Sequence, residues 1–349
     1  MSDEYELRQC EIPPSWATAD RLASHQSIAL YDDESLHIAG LVKIDRALKR
    51  LALSTDPVVI RSSGKIMVAP LAFDLAQGLK MAGDIWTGPE CRIQYAPFIR
   101  VLDEHIASHG RFYTDPTEVE IERTNQWFRV LRNAIRRSSV REEQRRRKDA
   151  VLKNWRGAVN YVNGLFMRHS KLLVVRIDLG YLEKFRDEST LDRAFVDRQT
   201  WFDQITARFS KQLVGSCWRV EYGGKKNAHL HVVLFFNGQV CREDITLGNI
   251  AGESWKEVTR YEGTFFNCNL SKDRYRAAKQ LGIGMIAHFD ADLRSNLFTF
   301  ALSYLFKIDG LIKLHPSASK GRRTFGRGII RSIDEDLDQP SLGRPRKRA

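Results

Sequence analysis

Residues 218–236, WRVEYGGKKNAHLHVVLFF, constrain this chain more than any other stretch. His229 and His231 flank Leu230, and an apolar run follows. Alternation makes this a strand, so the two histidines share a face and Leu230 points away from it. Glu221 sits upstream in a second alternating run, CWRVEY, and the turn-rich GGKKNA joins the two. The pattern is a β-hairpin with a loose loop, which brings one carboxylate and two imidazoles to one sheet face. That donor set suits Mn, Zn or Fe, and admits Mg when phosphate supplies further oxygens. An HxH on a strand is unspecific by itself, because most such histidines are structural or exposed. The correctly facing Glu221 and the stiff apolar strand behind the histidines sharpen the signal.

A chain of 349 residues with 43% hydrophobic content is long enough for two cores and too apolar for a disordered protein. Its net charge of +12 calls for an anionic partner, nucleic acid before an acidic membrane surface. No run of 18 apolar residues exists, so no transmembrane helix and no membrane partner are expected. The acidic, polar N-terminus is unlike a signal peptide. The five scattered cysteines include no CxxC pair, which points to reduced thiols and a cytoplasmic location.

Four regions are expected. Residues 1–114 are mixed and mainly helical, without a motif that can be attached to chemistry. Residues 115–165 form a basic helical segment. It opens at Asp115-Pro116, as N-cap and first helical residue, and continues as two basic helices or one broken helix. Trp127, Phe128, Leu131 and Ile135, then Val151, Trp155, Val159, Val162 and Phe166, keep helical spacing. Its basic residues Arg136, Arg137, Arg145, Arg146, Arg147 and Lys148 are candidates for phosphate contact, or line a solvated helical face. Residues 166–332 alternate as β-α-β-β-α-(β)-β-α, beginning with KLLVVRIDLGY; Gly215 reads as the stop of the first helix. The fold class is α+β, one antiparallel sheet with helices on one face. Residues 333–349 are a flexible basic tail. Its Arg344, Arg346, Lys347 and Arg348 resemble a minor-groove arm, or are a plain disordered tail; either binds phosphate.

Tyr304 and Lys307, in SYLFK, lie three apart on the last predicted helix and share one side, beside a stripe of Leu297, Ala301, Leu305 and Ile308. A tyrosine beside a lysine can serve as a nucleophile with a cationic neighbour. Taken alone, the pair is more simply a half-buried tyrosine and a snorkelling lysine. Arg176 and Asp178 share a strand face and read as a structural pair, with Asp178 as an alternative metal-side carboxylate. His288 is a spare ligand or a solvated strand-end histidine. Tyr261, Phe265 and Phe266 are base-stacking candidates that core packing explains more cheaply.

An apolar strand, a Glu with HLH, and YxxK on a later helix occur here in a set order. That order resembles the three-motif layout of the HUH superfamily of rolling-circle replication initiators. LLVVRIDLGY, WRVEYGGKKNAHLHVVLFFNG, GIGMIAHFD and ALSYLFKID are more closely similar to the inovirus-type replication proteins, including the prophage YagK/YfjJ C-terminal domain proteins. The resemblance covers roughly residues 165–330. It implies an HUH/RRM-like, ferredoxin-like core, with Glu221, His229 and His231 ligating Mg²⁺ or Mn²⁺. Tyr304 is then the nucleophile toward single-stranded DNA, leaving a 5′-phosphotyrosyl bond, and Lys307 assists. The implied activity is nicking and rejoining that initiates rolling-circle replication of a phage, prophage or related element in a bacterial cell. Origin duplex DNA, and a host helicase and polymerase, are the implied partners. Position 308 is Ile, so the chain lacks the second tyrosine of the two-tyrosine subclass. A relaxase or single-strand transposase with the same chemistry, or an inactive DNA-binding regulator on the same fold, are the alternatives.

Overall fold

The computed structural model describes residues 33–83, 93–186, 190–223, 227–306 and 310–329. The first part comprises helix α1 (Asp33–Leu53), a hairpin of β1 (Val59–Ser62) and β2 (Lys65–Val68), α2 (Pro70–Ala82), β3 (Ile93–Tyr95) and α3 (Pro97–His109). Both prolines open their helices, where a missing N–H leaves no intrahelical partner unsatisfied. Helix α4 (Ile121–Arg136) follows a single 3₁₀ turn at Glu118–Glu120. The start therefore lies slightly later than Asp115-Pro116. The Glu120 carboxylate accepts from both the backbone N–H and the hydroxyl of Thr117, at 2.8 and 2.7 Å, and fixes the entry there. Leu41, Ile44, Leu48, Leu75, Ile99 and Leu102 meet Phe128 and Leu131 of α4 in one core.

Helix α5 (Ser138–Arg168) begins directly after a break at Arg137, which has an extended ψ of 136°. The basic segment is thus two helices. The apolar positions of α4 join the first core, whereas Val151, Trp155, Val159, Val162 and Phe166 of α5 pack on the main sheet.

The remaining elements are β4 (Lys171–Tyr181), α6 (Leu191–Arg208), β5 (Leu213–Gly223), β6 (Asn227–Asn237), α7 (Asp244–Val258), β7 (Gly263–Asn267), α8 (Lys272–Ala277), β8 (Gly284–Ala287) and α9 (Ala291–Asn296). The chain stays helical past α9, as a π-helical stretch at Leu297–Leu302 and a 3₁₀ turn at Ser303–Phe306. Short strands β9 (Ile312–Leu314) and β10 (Phe325–Arg327) follow. Among the described residues the main sheet has six strands in the order β10-β5-β6-β4-β7, with β8 also on β4, and every pair is antiparallel.

The α+β class and the element order agree with the sequence. The helices, however, cover both sheet faces. Trp201 of α6 and Trp255 of α7 pack on Ile177, Val232 and Phe236; Trp155 of α5, with Leu297 and Phe306, packs on Leu172, Val174 and Phe235. The reason lies in LLVV of β4 and VVLFF of β6, where consecutive apolar residues need cover on both sides. Gly215 is a strand residue at a register shift in β5, not a helix stop. A Cβ there would overlap the Tyr161 hydroxyl and stand 2.7 Å from Leu165 Cδ1, so its absence lets α5 lie against the strand. Helix α6 closes instead at Phe209.

A separate pair joins the two parts of the chain: β3 runs antiparallel to β9, with Tyr95 opposite Ile312, and Ala96 N–H donates to the Leu311 carbonyl at 2.7 Å. No helix among the described residues is long and apolar enough to cross a membrane.

Candidate metal centre

Strand register builds the site. His231 of β6 stands opposite Asp178 of β4 on one side and Arg219 of β5 on the other; His229 stands opposite Glu221. Directly opposed residues point to the same face. Asp178, Glu221, His229 and His231 therefore converge, with Arg176 two positions from Asp178 on that face. One ligand atom from each of Glu221, His229 and His231 lies within 4.8 Å of the other two. Glu221 Oε2 is 3.5 Å from His229 Nε2 and 3.3 Å from His231 Nε2. Both histidines are buried, and Glu221 is 9% exposed.

The outer contacts orient both rings. His229 Nδ1–H donates to the Asn227 carbonyl at 3.0 Å, and His231 Nδ1–H donates to Asp178 Oδ1 at 2.7 Å. A carbonyl can only accept, so the His229 proton belongs on Nδ1 and its Nε2 lone pair faces Glu221. This is the arrangement expected of imidazoles set to bind a metal.

The charges agree with it. Burial disfavours the imidazolium of His231, but Asp178 and Glu221 outweigh it and raise its pKa to about 9. Burial likewise opposes the carboxylates of Glu221 and Asp178, yet the nearby imidazolium of His231 holds both well below the usual range. The pocket thus favours a positive charge between two carboxylates. Two Nε2 donors, one carboxylate and orienting partners behind them fit a divalent cation.

Tyr304 meets this cluster. Its ring lies edge-to-face against His231, with centroids 4.7 Å apart and planes at 84°. The Arg176 guanidinium carbon stands 3.8 Å from the same ring's centroid. Tyr304 is half-buried between buried neighbours. Leu297, Ala301 and Leu305 form the expected apolar side, and Phe306 seats on Trp155 with ring centroids 5.7 Å apart. The regular helix expected through Tyr304 is replaced by π and 3₁₀ turns, a form common at functional sites. Lys307 and Ile308 lie outside the described residues.

Other expected residues are placed differently. Asp178 is more than a structural partner of Arg176, since it also orients His231. His288 Nδ1–H donates to the Ser170 carbonyl at 3.0 Å, apart from the ligand cluster. Phe265 is half-buried against the α6–α7 side, whereas Tyr261 and Phe266 are exposed. Two of the residues expected to grip DNA turn their guanidinium groups to backbone carbonyls. Arg136 donates to the carbonyls of Ala52 and Ser54, and buried Arg147 to those of Tyr95 and Gln94. Arg145 and Arg146 are exposed and share Glu142; Arg137 and Lys148 are exposed. Arg344, Arg346, Lys347 and Arg348 lie outside the described residues.

Sequence reasoning did not place Arg176 over the tyrosine. The spacing of Arg176 and Asp178 put them on one face, but only the β4–β6 register shows that this face carries the histidines. Residues 134–328 match the family model described as the YagK/YfjJ C-terminal domain. No curated protein and no solved structure matches the chain.

Proposed function

This chain belongs to the YagK/YfjJ C-terminal domain family, and on that premise we propose that it is an HUH-type, site-specific nickase and strand transferase for single-stranded DNA, initiating rolling-circle replication of a phage, prophage or related element. One observation carries the reading: a half-buried phenol packs on an imidazole of a Glu-His-His cluster. Ordinary core packing does not require these four groups together.

The reaction is an in-line displacement at a phosphodiester. Tyr304 Oη loses its proton and forms a bond to phosphorus as the bond to the 3′-oxygen breaks. The released 3′-hydroxyl takes up a proton, and the 5′-phosphate stays on the tyrosine. The bond energy is conserved, so a later 3′-hydroxyl can reverse the step and rejoin a strand. Glu221, His229 and His231 would hold Mg²⁺ or Mn²⁺, which supplies Lewis-acid polarisation of the scissile phosphate. Asp178 keeps the His231 Nε2 aimed inward. Lys307, by the family resemblance, helps to place the phosphate. The net charge of +12 and exposed Arg137, Arg145, Arg146 and Lys148 support a salt-sensitive grip on the strand.

Covalent trapping tests this. With Mn²⁺ and labelled single strands from the element's replication origin, the full chain should give a DNA adduct that survives a denaturing gel. Tyr304→Phe should abolish the adduct while leaving strand binding within about threefold, because binding is spread over many phosphate contacts. Binding of every origin strand without an adduct would overturn the reading in favour of a non-catalytic DNA-binding regulator.

A further inference from the structure

Arg176 is only 9% exposed. Among the described residues its Nε has no hydrogen-bond partner. Its carboxylate neighbour, Asp178 Oδ2, stands 3.5 Å from Nη2, longer than a strong ion pair allows, while Asp178 Oδ1 is engaged by His231 at 2.7 Å. Arg–carboxylate pairs are frequently short and bidentate. Here the guanidinium lies over the face of the Tyr304 ring instead, at 3.8 Å. The ring is therefore held from two directions, by the cation on its face and by the His231 imidazole at 84° to it.

The backbone beneath Tyr304 makes such support useful. Residues 297–306 run through π and 3₁₀ turns, whose hydrogen bonds set the phenol's direction less firmly than a regular helix would. Arg176, by contrast, projects from the middle of β4, and its own backbone N–H is held by Asn269 Oδ1 at 2.9 Å.

We propose that Arg176 is the positioning residue of the nucleophile: its guanidinium, stacked on the Tyr304 ring, holds the phenol in register with the metal ligands. Asp178, shared between Arg176 and His231, ties the setting of the tyrosine to that of the imidazole. Without the brace the phenol samples other rotamers, and fewer encounters with a bound phosphate are in line. The rate part of this inference rests on the nickase reading; the geometric part does not.

Two measurements on the full chain separate them. The first labels the ten tyrosines with 3-fluorotyrosine and assigns the Tyr304 ¹⁹F line by its loss in Tyr304→Phe. Arg176→Met should move that line toward the position of exposed tyrosines and leave the others in place. Arg176→Lys should move it part of the way, because an ammonium keeps charge but cannot stack as a plane. Should Arg176→Met disturb all the lines, Arg176→Lys is read alone. An unmoved Tyr304 line, in Arg176→Met or in Arg176→Lys read alone, overturns the brace.

The second measurement is single-turnover adduct formation. Arg176→Met should slow it by about 10- to 100-fold, the effect of a misplaced reacting group. Its Kd for single-stranded DNA should stay within about threefold of wild type, and Arg176→Lys should recover part of the rate. A parallel loss of rate and affinity would make Arg176 a substrate contact and overturn positioning. If the wild-type chain forms no adduct, the nickase reading fails, and the ¹⁹F result still decides the brace.

Discussion

Asp178 answers two neighbours at once, taking the His231 Nδ1–H on one oxygen and facing Arg176 with the other. With Glu221 it keeps the ion-free His231 an imidazolium up to about pH 9. A cation must displace that proton from Nε2, so its affinity depends on pH. Mn²⁺ affinity should rise close to tenfold per pH unit through neutrality and flatten above about 9. Calorimetry near pH 7 in two buffers of different ionisation enthalpy should report about one proton released per ion; none released would contradict the charge state. Stability follows the same linkage. The His231 pKa is raised from 6.5, so its contribution to the ion-free fold is full below about 6.5 and lost as pH rises through about 9. Glu221 and Asp178 are depressed, so theirs is present above the ordinary carboxylate range and lost in acid. Ion-free Tm should therefore fall between pH 6.5 and 9, and saturating Mn²⁺ should blunt or reverse that fall. Asp178→Asn should weaken Mn²⁺ binding by about 10- to 100-fold, as loss of an orienting partner does. Glu221, His229 and His231 were legible because a hairpin makes them neighbours in sequence and space. Asp178 is 53 positions from His231, and only the pairing of distant strands reveals that it serves the histidine.

At the level of elements, period was informative and context was not. Alternation marked β5 and β6, and helical spacing marked α4 and α5, because those patterns arise from which side of each element is buried. The double cover of the sheet was also written in LLVV and VVLFF, although consecutive apolar residues do not say which helix lies on which face. The run from 291 to 306 was legible as helical through its Leu297-Ala301-Leu305 stripe. Its π and 3₁₀ turns were not, since the stripe does not show that Phe306 meets Trp155 and Tyr304 meets His231. Gly215 reads as a helix stop because glycine after an apolar helical stripe has the same signature as a strand glycine under a crossing helix. The structure makes the distinction measurable. Gly215→Ala drives a methyl into Tyr161 and Leu165 of α5, and overpacking of this kind costs about 1–3 kcal/mol. A urea titration should show that loss. An unchanged midpoint would mean that α5 yields without cost and that its fit to β5 is loose.

Across the whole molecule, the segment that matches the family model is not closed on itself. Residues 134–328 include β9, but its strand partner β3 lies in the first part of the chain. Leu311 and Ile312 are buried in the core built by α1 to α4. Arg147 of α5 donates to the backbone of β3 as well, so two contacts cross from the matched segment to the same short strand. Nothing in the sequence of β3, IQY, announces this, because a three-residue edge carries too little pattern to name its partner. Removal of residues 1–133 would expose Leu311 and Ile312 and leave β9 unpaired soon after the turn that carries Tyr304. The excised 134–328 segment should therefore unfold at lower urea than the full chain, and its β9 amides should exchange with solvent faster than those of β4 or β6 in the same sample. On the nickase reading, loosening there should reach Tyr304, so adduct formation by the excised segment should be slower than by the full chain even where the Mn²⁺ affinity is kept, since Glu221, His229 and His231 all lie on the β5–β6 hairpin. Equal protection of β9 in both forms would show that β3 is dispensable and that the matched segment sets the tyrosine by itself.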